Sequence, residues 1–129
     1  MPLLLDTSVA VDVIDDVAGT LDRAREADAL YLSVISHVEL EAGVHRDREL
    51  GSLFRTRLDR FLTRVVELDF TSREVAAYAA IIAAKGFSRR LIVDRMIAAT
   101  ALANGLTLAT LNPRDFRDVP GLEVEDWSS

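Results

Sequence analysis

Apolar positions along the chain fall into short blocks separated by longer amphipathic stretches. Leu3 to Leu5 is an unbroken apolar run ending at Asp6, the pattern of a strand buried on both faces. Residues 7–28 read as helical, with a break near Asp15, Asp16 and Gly19. LYLS at 30–33 predicts a second strand, and Ile35 to Val44 a helix. A polar stretch with Arg46, Asp47, Arg48 and Gly51 separates it from the next. Over 53–65, Leu58, Phe61, Leu62 and Val65 recur at helical spacing while Arg55, Arg57, Asp59, Arg60 and Arg64 occupy the remainder, so an amphipathic helix is expected. Val65 to Leu68 predicts a third strand. Thr71 and Glu74 stand at capping-box spacing and open a helix that runs to about Ala84 and stops at Gly86. Leu91 to Asn104 is apolar almost all round, which predicts a buried helix closed by Gly105. Leu106 to Thr110 and Leu122 to Val124 supply the last two strands.

Strands and helices alternate, with strand spacings long enough for helical crossovers. That order predicts a three-layer α/β/α fold around a mainly parallel sheet. No repeat, low-complexity tract or linker divides the chain, so residues 1–129 are expected to form a single domain. In such folds ligands sit beyond the carboxyl ends of the strands, so the residues that follow strands are the first candidates for chemistry.

Four carboxylates stand out on that criterion. Asp6 follows the first strand, and Asp115 follows the strand at 106–110 by a short turn. Glu39 shares a helix face with Ile35, Ala42 and Gly43, and Asp94 shares one with Ile97, Ala98 and Ala101. Each has a plainer reading. Asp6 serves as a helix N-cap, Ser36 and Glu39 as a capping box, Asp94 as an N-cap, and Asp115 as an Asx turn before Phe116. Taken together, four acids at strand ends and inner helix faces point to a shared cation, because a buried anion is costly unless paired. A carboxylate cluster without Cys or His is hard-oxygen chemistry, suited to Mg²⁺ or Mn²⁺ over zinc.

Composition narrows the classes. Half of the 129 residues are apolar, mean hydropathy is +0.17 and cysteine is absent, which excludes disulfides, thiolate metal sites and a Cys nucleophile. No run of roughly 18 uncharged apolar residues spans a membrane, and MPLLLD lacks a basic signal region, so a soluble, cytoplasmic protein with no membrane partner is expected. Net charge is −6, so any nucleic-acid partner needs a local basic patch. Lys85 is the only lysine among 15 basic residues; arginine suits phosphate recognition, and a GC-rich coding bias explains the same excess. His37 and His45 read as surface or core histidines, Trp127 as packed on the body, and the alanines around Tyr78 as core or a helix interface.

LLLDTSV at 3–9, SVISHVELEAGV at 33–44 and IVDRMIAATALANGLTLATLNPRDF at 92–116 together resemble the PIN-domain family, most closely VapC toxins of type II toxin–antitoxin modules, including their FitB-like branch. The likeness covers essentially the whole chain. It implies a compact domain whose acidic pocket binds Mg²⁺ or Mn²⁺ and cleaves RNA. Asp6, Glu39 and Asp94 match the family's first three acids, with Thr7 and Ser8 beside the first. The fourth acid stands, in some relatives, where this chain has Asn112, and in others three residues on, at Asp115; this chain resembles the second kind. The resemblance therefore implies Asp6 and Asp94 as principal metal ligands, and Glu39 and Asp115 as ligands through water or as the group positioning the attacking water. Thr110 and Asn112 would orient them from behind. Arg89, Arg90 and Arg114 are candidates for gripping RNA, against a reading as solvated loop residues. The family also implies a cognate VapB-type antitoxin and a homodimer. Two departures are Leu111, where relatives commonly carry Arg, and Arg95 directly after Asp94.

Competing readings weaken on single positions. A haloacid-dehalogenase phosphatase needs an acid where Ser8 stands. A receiver domain needs a second acid beside Asp6. A catalytically inactive PIN-like scaffold is the remaining alternative, and the presence of all four acids argues against it.

Overall fold

A computed structural model describes residues 1–46 and 48–128; Asp47, in the polar stretch between two predicted helices, and Ser129 lie outside the described residues. Five strands form one sheet: β1 (Pro2–Leu5), β2 (Ala29–Ser33), β3 (Val66–Leu68), β4 (Thr107–Thr110) and β5 (Val124–Asp126). Their spatial order is β3-β2-β1-β4-β5, and every neighbouring pair is parallel. β1 is central, which accounts for its lack of polar alternation: Leu3 faces one layer with Leu5, Leu4 faces the other, and all three are buried.

Each face carries its own helices. Leu3 and Leu5 join a core made with α1 (Thr7–Ile14), α3 (Val34–Arg46) and α4 (Gly51–Leu62), through Val9, Ala10, Leu40, Leu58 and Phe61. α2 (Ala18–Glu26) packs at its margin through Leu21 and Ala24. Leu4 and Leu108 meet α5 (Ser72–Lys85) and α6 (Ile92–Asn104) on the other side, through Ile81, Ile97, Ala98 and Ala101. The alanines of α6 let it approach both the sheet and α5 closely. The three-layer parallel architecture expected from the sequence is the one observed.

Boundaries moved where local hydrogen bonds override periodicity. The amphipathic helix expected to reach Val65 stops at Leu62. Thr63 turns back, its hydroxyl donating to the Arg60 carbonyl at 2.7 Å, and the Arg64 amide closes on Phe61 at 2.9 Å. Its start is earlier than expected, at Gly51, where a Cβ would sit 2.5 Å from the Val44 carbonyl, so α3 and α4 approach as they do because this position is glycine. The last strand is displaced from 122–124 to Val124–Asp126; Leu122 packs into the second core instead. The break in residues 7–28 falls at 15–17, with Asp16 at φ +57. The capping box at Thr71 and Glu74 forms as read, and Gly105 closes α6 in the left-handed region at φ 64.

The crossing pattern sets the chemistry's location. From β1 the chain moves to β2 on one side and later returns to β4 on the other. The carboxyl ends of β1 and β4 therefore flank the point where strand order reverses, the place such sheets leave open for a ligand.

Candidate active site

Asp6 leaves β1 and Thr110 ends β4, and the two ladders bring them together. The Asp6 amide donates to the Ala109 carbonyl at 2.9 Å, and the buried Thr110 hydroxyl donates to Asp6 Oδ2 at 2.7 Å. Ser8 donates to the same oxygen at 2.9 Å, while Oδ1 accepts the Thr7 amide at 2.8 Å. Asp6 is thus the N-cap of α1 and also the acid at the sheet's open edge; its two readings coexist. Thr110 Oγ1 in turn accepts the Asn112 amide at 2.9 Å, and the Leu111 amide lies 3.4 Å from Ser8 Oγ.

A second hydroxyl chain ties α1 to α3. The Thr7 hydroxyl lies 2.6 Å from Glu39 Oε1 and 2.9 Å from the hydroxyl of buried Ser36. A carboxylate only accepts, so the Thr7 proton serves Glu39 and Ser36 supplies the other bond. Glu39 is therefore no partner in a capping box. Helix α3 starts at Val34, and Ser33 caps it, its hydroxyl accepting the Ile35 amide at 3.1 Å. Ser36 belongs to the site's hydroxyl network, which the sequence reading missed. Its spacing of three from Glu39 was the available signal, and it fits a cap as well as a shared face.

Asp94 is in the first turn of α6, two residues inside its start at Ile92, and so does not cap it. Burial pushes its carboxyl up to about 6, helped by the charges of Asp6, Asp115 and Glu39, with Arg90 pulling the other way. Asp6, Asp115 and Glu39 are thus near enough for their charges to act on Asp94. Burial likewise raises Asp6 above the usual carboxylate range, against the bonds from Thr110, Ser8 and Thr7, and Asp115 adds to the rise. Asp115 ends a single 3-10 turn, Pro113–Asp115, in which Pro113 stops β4 and folds the chain back. Asn112 is exposed and contributes its backbone amide to Thr110.

Every donor in this group is a carboxylate or hydroxyl oxygen, the set that suits a hard divalent cation, and the acids that act on Asp94 leave negative charge for one to offset. Among the described residues no three acidic or imidazole groups are already drawn together as ligands. The donor chemistry fits Mg²⁺ or Mn²⁺.

The arginines divide. Arg90 is exposed and near enough to act on Asp94; Arg89 and Arg114 are exposed on the flanking 3-10 turns. Arg95 points elsewhere. It is 4% exposed, donates to the Gly86 carbonyl at 3.1 Å and pairs with Asp118 at 3.6 Å, bracing the loop before α6 against the segment after Asp115. His37 is a partly exposed histidine between Glu67 and Glu41, away from the acids' hydroxyl chains. Trp127 is packed against the first core, and α5 contributes Ala77, Tyr78 and Ile81 to the second.

Residues 3–122 match the profile of the PIN domain. The chain is 35% identical to ribonuclease VapC1 of Rickettsia felis, over all of this chain and 98% of that one. Among solved structures it superposes on VapBC2 of Rickettsia felis, bound to a DNA fragment from its promoter, with a TM-score of 0.85 at 27% identity over 98% of this chain and 99% of that one. It shares the fold of VapBC-5 of Mycobacterium tuberculosis, a member of the VapBC family of toxin–antitoxin systems, at a TM-score of 0.70 and 24% identity over 97% and 96% of the two chains.

Proposed function

The chain belongs to the PIN-domain family, alongside the VapC ribonucleases, and from that premise we propose that it is the toxin of a VapBC-type module, an endoribonuclease dependent on Mg²⁺ or Mn²⁺. The observation that carries the reading is Asp94, whose carboxyl is pushed up to about 6 by burial and by the charges of Asp6, Asp115 and Glu39. Structural ion pairs place a cation against a buried acid. Here the stronger charges acting on Asp94 are three further acids, with Arg90 the weaker opposing one.

Asp6 and Asp94 would hold the cation directly. Glu39 and Asp115 would complete the set through water, or accept a proton from the attacking water. Bound there, the cation would polarise the scissile phosphate, lower the pKa of the water and stabilise the leaving oxygen. The chain's own residues do the positioning. Thr110 and Ser8 fix one Asp6 oxygen, the Thr7 amide fixes the other, and the Thr7 hydroxyl holds Glu39. Asn112, at the turn, would orient the phosphate. Arg90 stands beside Asp94, where it would grip an RNA phosphate, with Arg89 and Arg114 at the rim.

A cognate VapB-type antitoxin would restrain the enzyme in the cytoplasm. Exposed Val38, Val75 and Phe87 offer apolar surface to the antitoxin or to a second copy in a homodimer. Among the described residues no helix is long and apolar enough to cross a membrane. Controlled expression in a bacterium, without antitoxin, tests the proposal. Wild type should arrest growth and leave mapped RNA cuts, and Asp94→Asn should do neither. Soluble wild-type protein that leaves both growth and RNA untouched would refute it.

A further inference from the structure

Two cavities meet at Leu111 and Ser128. One, of about 470 Å³, begins beside Asn112 and Asp115 and carries Arg114 and Arg117. The other, of about 500 Å³, is lined in part by Asp12, Thr20, Arg23, Leu111, Trp127 and Ser128. Both have the volume of a small-molecule cleft. They adjoin at Leu111 and Ser128, so the cavity beside Asp115 neighbours the one lined by the tryptophan.

The far cavity has the parts of a base-recognition site. Trp127 is 5% exposed, and its indole Nε1–H has no hydrogen-bond partner. A buried donor left unpaired is a standing cost that a ligand's acceptor removes. The Arg23 guanidinium lies 5.9 Å from the centre of the indole ring and is anchored by a 3.2 Å bond from Nη1 to the Asp126 carbonyl. Asp12 Oδ2 accepts the Thr20 hydroxyl at 3.4 Å, a long bond that leaves most of the carboxylate's acceptor capacity unspent. An anchored planar cation, one spare donor and one acceptor-only group match the edge of a nucleobase.

We propose that this cavity receives the base of a nucleotide flanking the scissile phosphate, and that Asp12 selects bases bearing an exocyclic amino group over uracil. The proposal deepens the ribonuclease reading and rests on it. A carboxylate accepts from an amino group, whereas uracil offers carbonyl oxygens on both sides of its single ring N–H, and these repel Asp12. Arg23, Arg114 and Arg117 supply the cations of the two cavities, offsetting Asp12, Asp115 and Asp126.

Trp127 is the only tryptophan of the chain, so its emission reports the cavity directly. The full-length protein, in EDTA at low salt, is titrated with pentaribonucleotides of adenine, cytosine or uracil. The adenine and cytosine oligomers should shift the emission, and the uracil oligomer should bind about tenfold or more weakly. Asp12→Asn, with an unchanged melting temperature, should bring uracil to within about threefold of cytosine, since an amide also donates. Three oligomers that bind alike, emission that none of them moves, or a preference that survives Asp12→Asn would each overturn the subsite. Because EDTA removes cleavage, the two readings fail separately. Base-selective binding with no RNA cutting in Mg²⁺ sinks only the nuclease, and cutting with base-blind binding sinks only the subsite.

Discussion

At Asp6 one carboxylate oxygen caps α1 while the other holds Ser8 and Thr110, so substitutions there separate stability from chemistry. Asparagine still caps a helix; alanine does not. Asp6→Asn should unfold in urea within about 1 kcal/mol of wild type, and Asp6→Ala should lose roughly 1–3 kcal/mol, while both lose RNA cleavage. Asp94 gives a pH signature. Its folded pKa, about 6, lies above the unfolded 3.8, so the native state binds the proton more tightly. The metal-free protein should therefore lose stability as pH rises from about 4 to 6 and stay at the lower level above that. Asp94 is partly exposed and solvent screens it, so the loss is on the order of 1 kcal/mol. Asp94→Asn should flatten the pH slope to the part that Asp6 contributes and melt higher than wild type at neutral pH, as calorimetry with EDTA would show. The acids were legible because a charge on an apolar helix face or at a strand end contradicts its neighbours. Ser36 was not, because a serine three residues before a glutamate reads equally as a cap.

Helix α6 shows how an element carries the site. Its run from Ile92 to Asn104 was plain from near-continuous apolarity, and Gly105 marked its end. Arg95 was opaque, because a charge adjacent to a candidate ligand looks functional from spacing alone. Only the fold shows that it reaches back to Gly86 and across to Asp118, tying the segment that holds Asp94 to the one that follows Asp115. Removing it leaves the Gly86 carbonyl short of a donor and strips packing from a nearly inaccessible position. Arg95→Ala should cost roughly 2–3 kcal/mol in urea unfolding, whereas Asp118→Asn, at a side chain 49% exposed, should cost under about 1 kcal/mol. The helix end at Leu62 and the shift of β5 were hidden for a related reason. Periodicity marks which residues face a core, but the Thr63 hydroxyl and the pairing of Val124 with Leu108 decide where an element stops.

Across the whole molecule, strand alternation and spacing were enough to expect parallel layers, since a continuous apolar strand needs cover on both faces. The order β3-β2-β1-β4-β5 was not readable strand by strand; it follows from which crossovers pack on which face. That order makes distant residues neighbours, so that Asp6 and Thr110, 104 positions apart, share a hydrogen bond at the point where the sheet reverses. It would also reconcile a net charge of −6 with the proposed RNA substrate, because the acids stand where a cation would offset them and Arg90 is beside Asp94. The most direct test incubates purified wild type and Asp94→Asn with total bacterial RNA, with Mn²⁺ or with EDTA. Discrete cuts by wild type with Mn²⁺, lost in EDTA and lost in Asp94→Asn, are the predicted result. Cutting that persists undiminished in EDTA, or in Asp94→Asn, would contradict a metal-dependent acidic site.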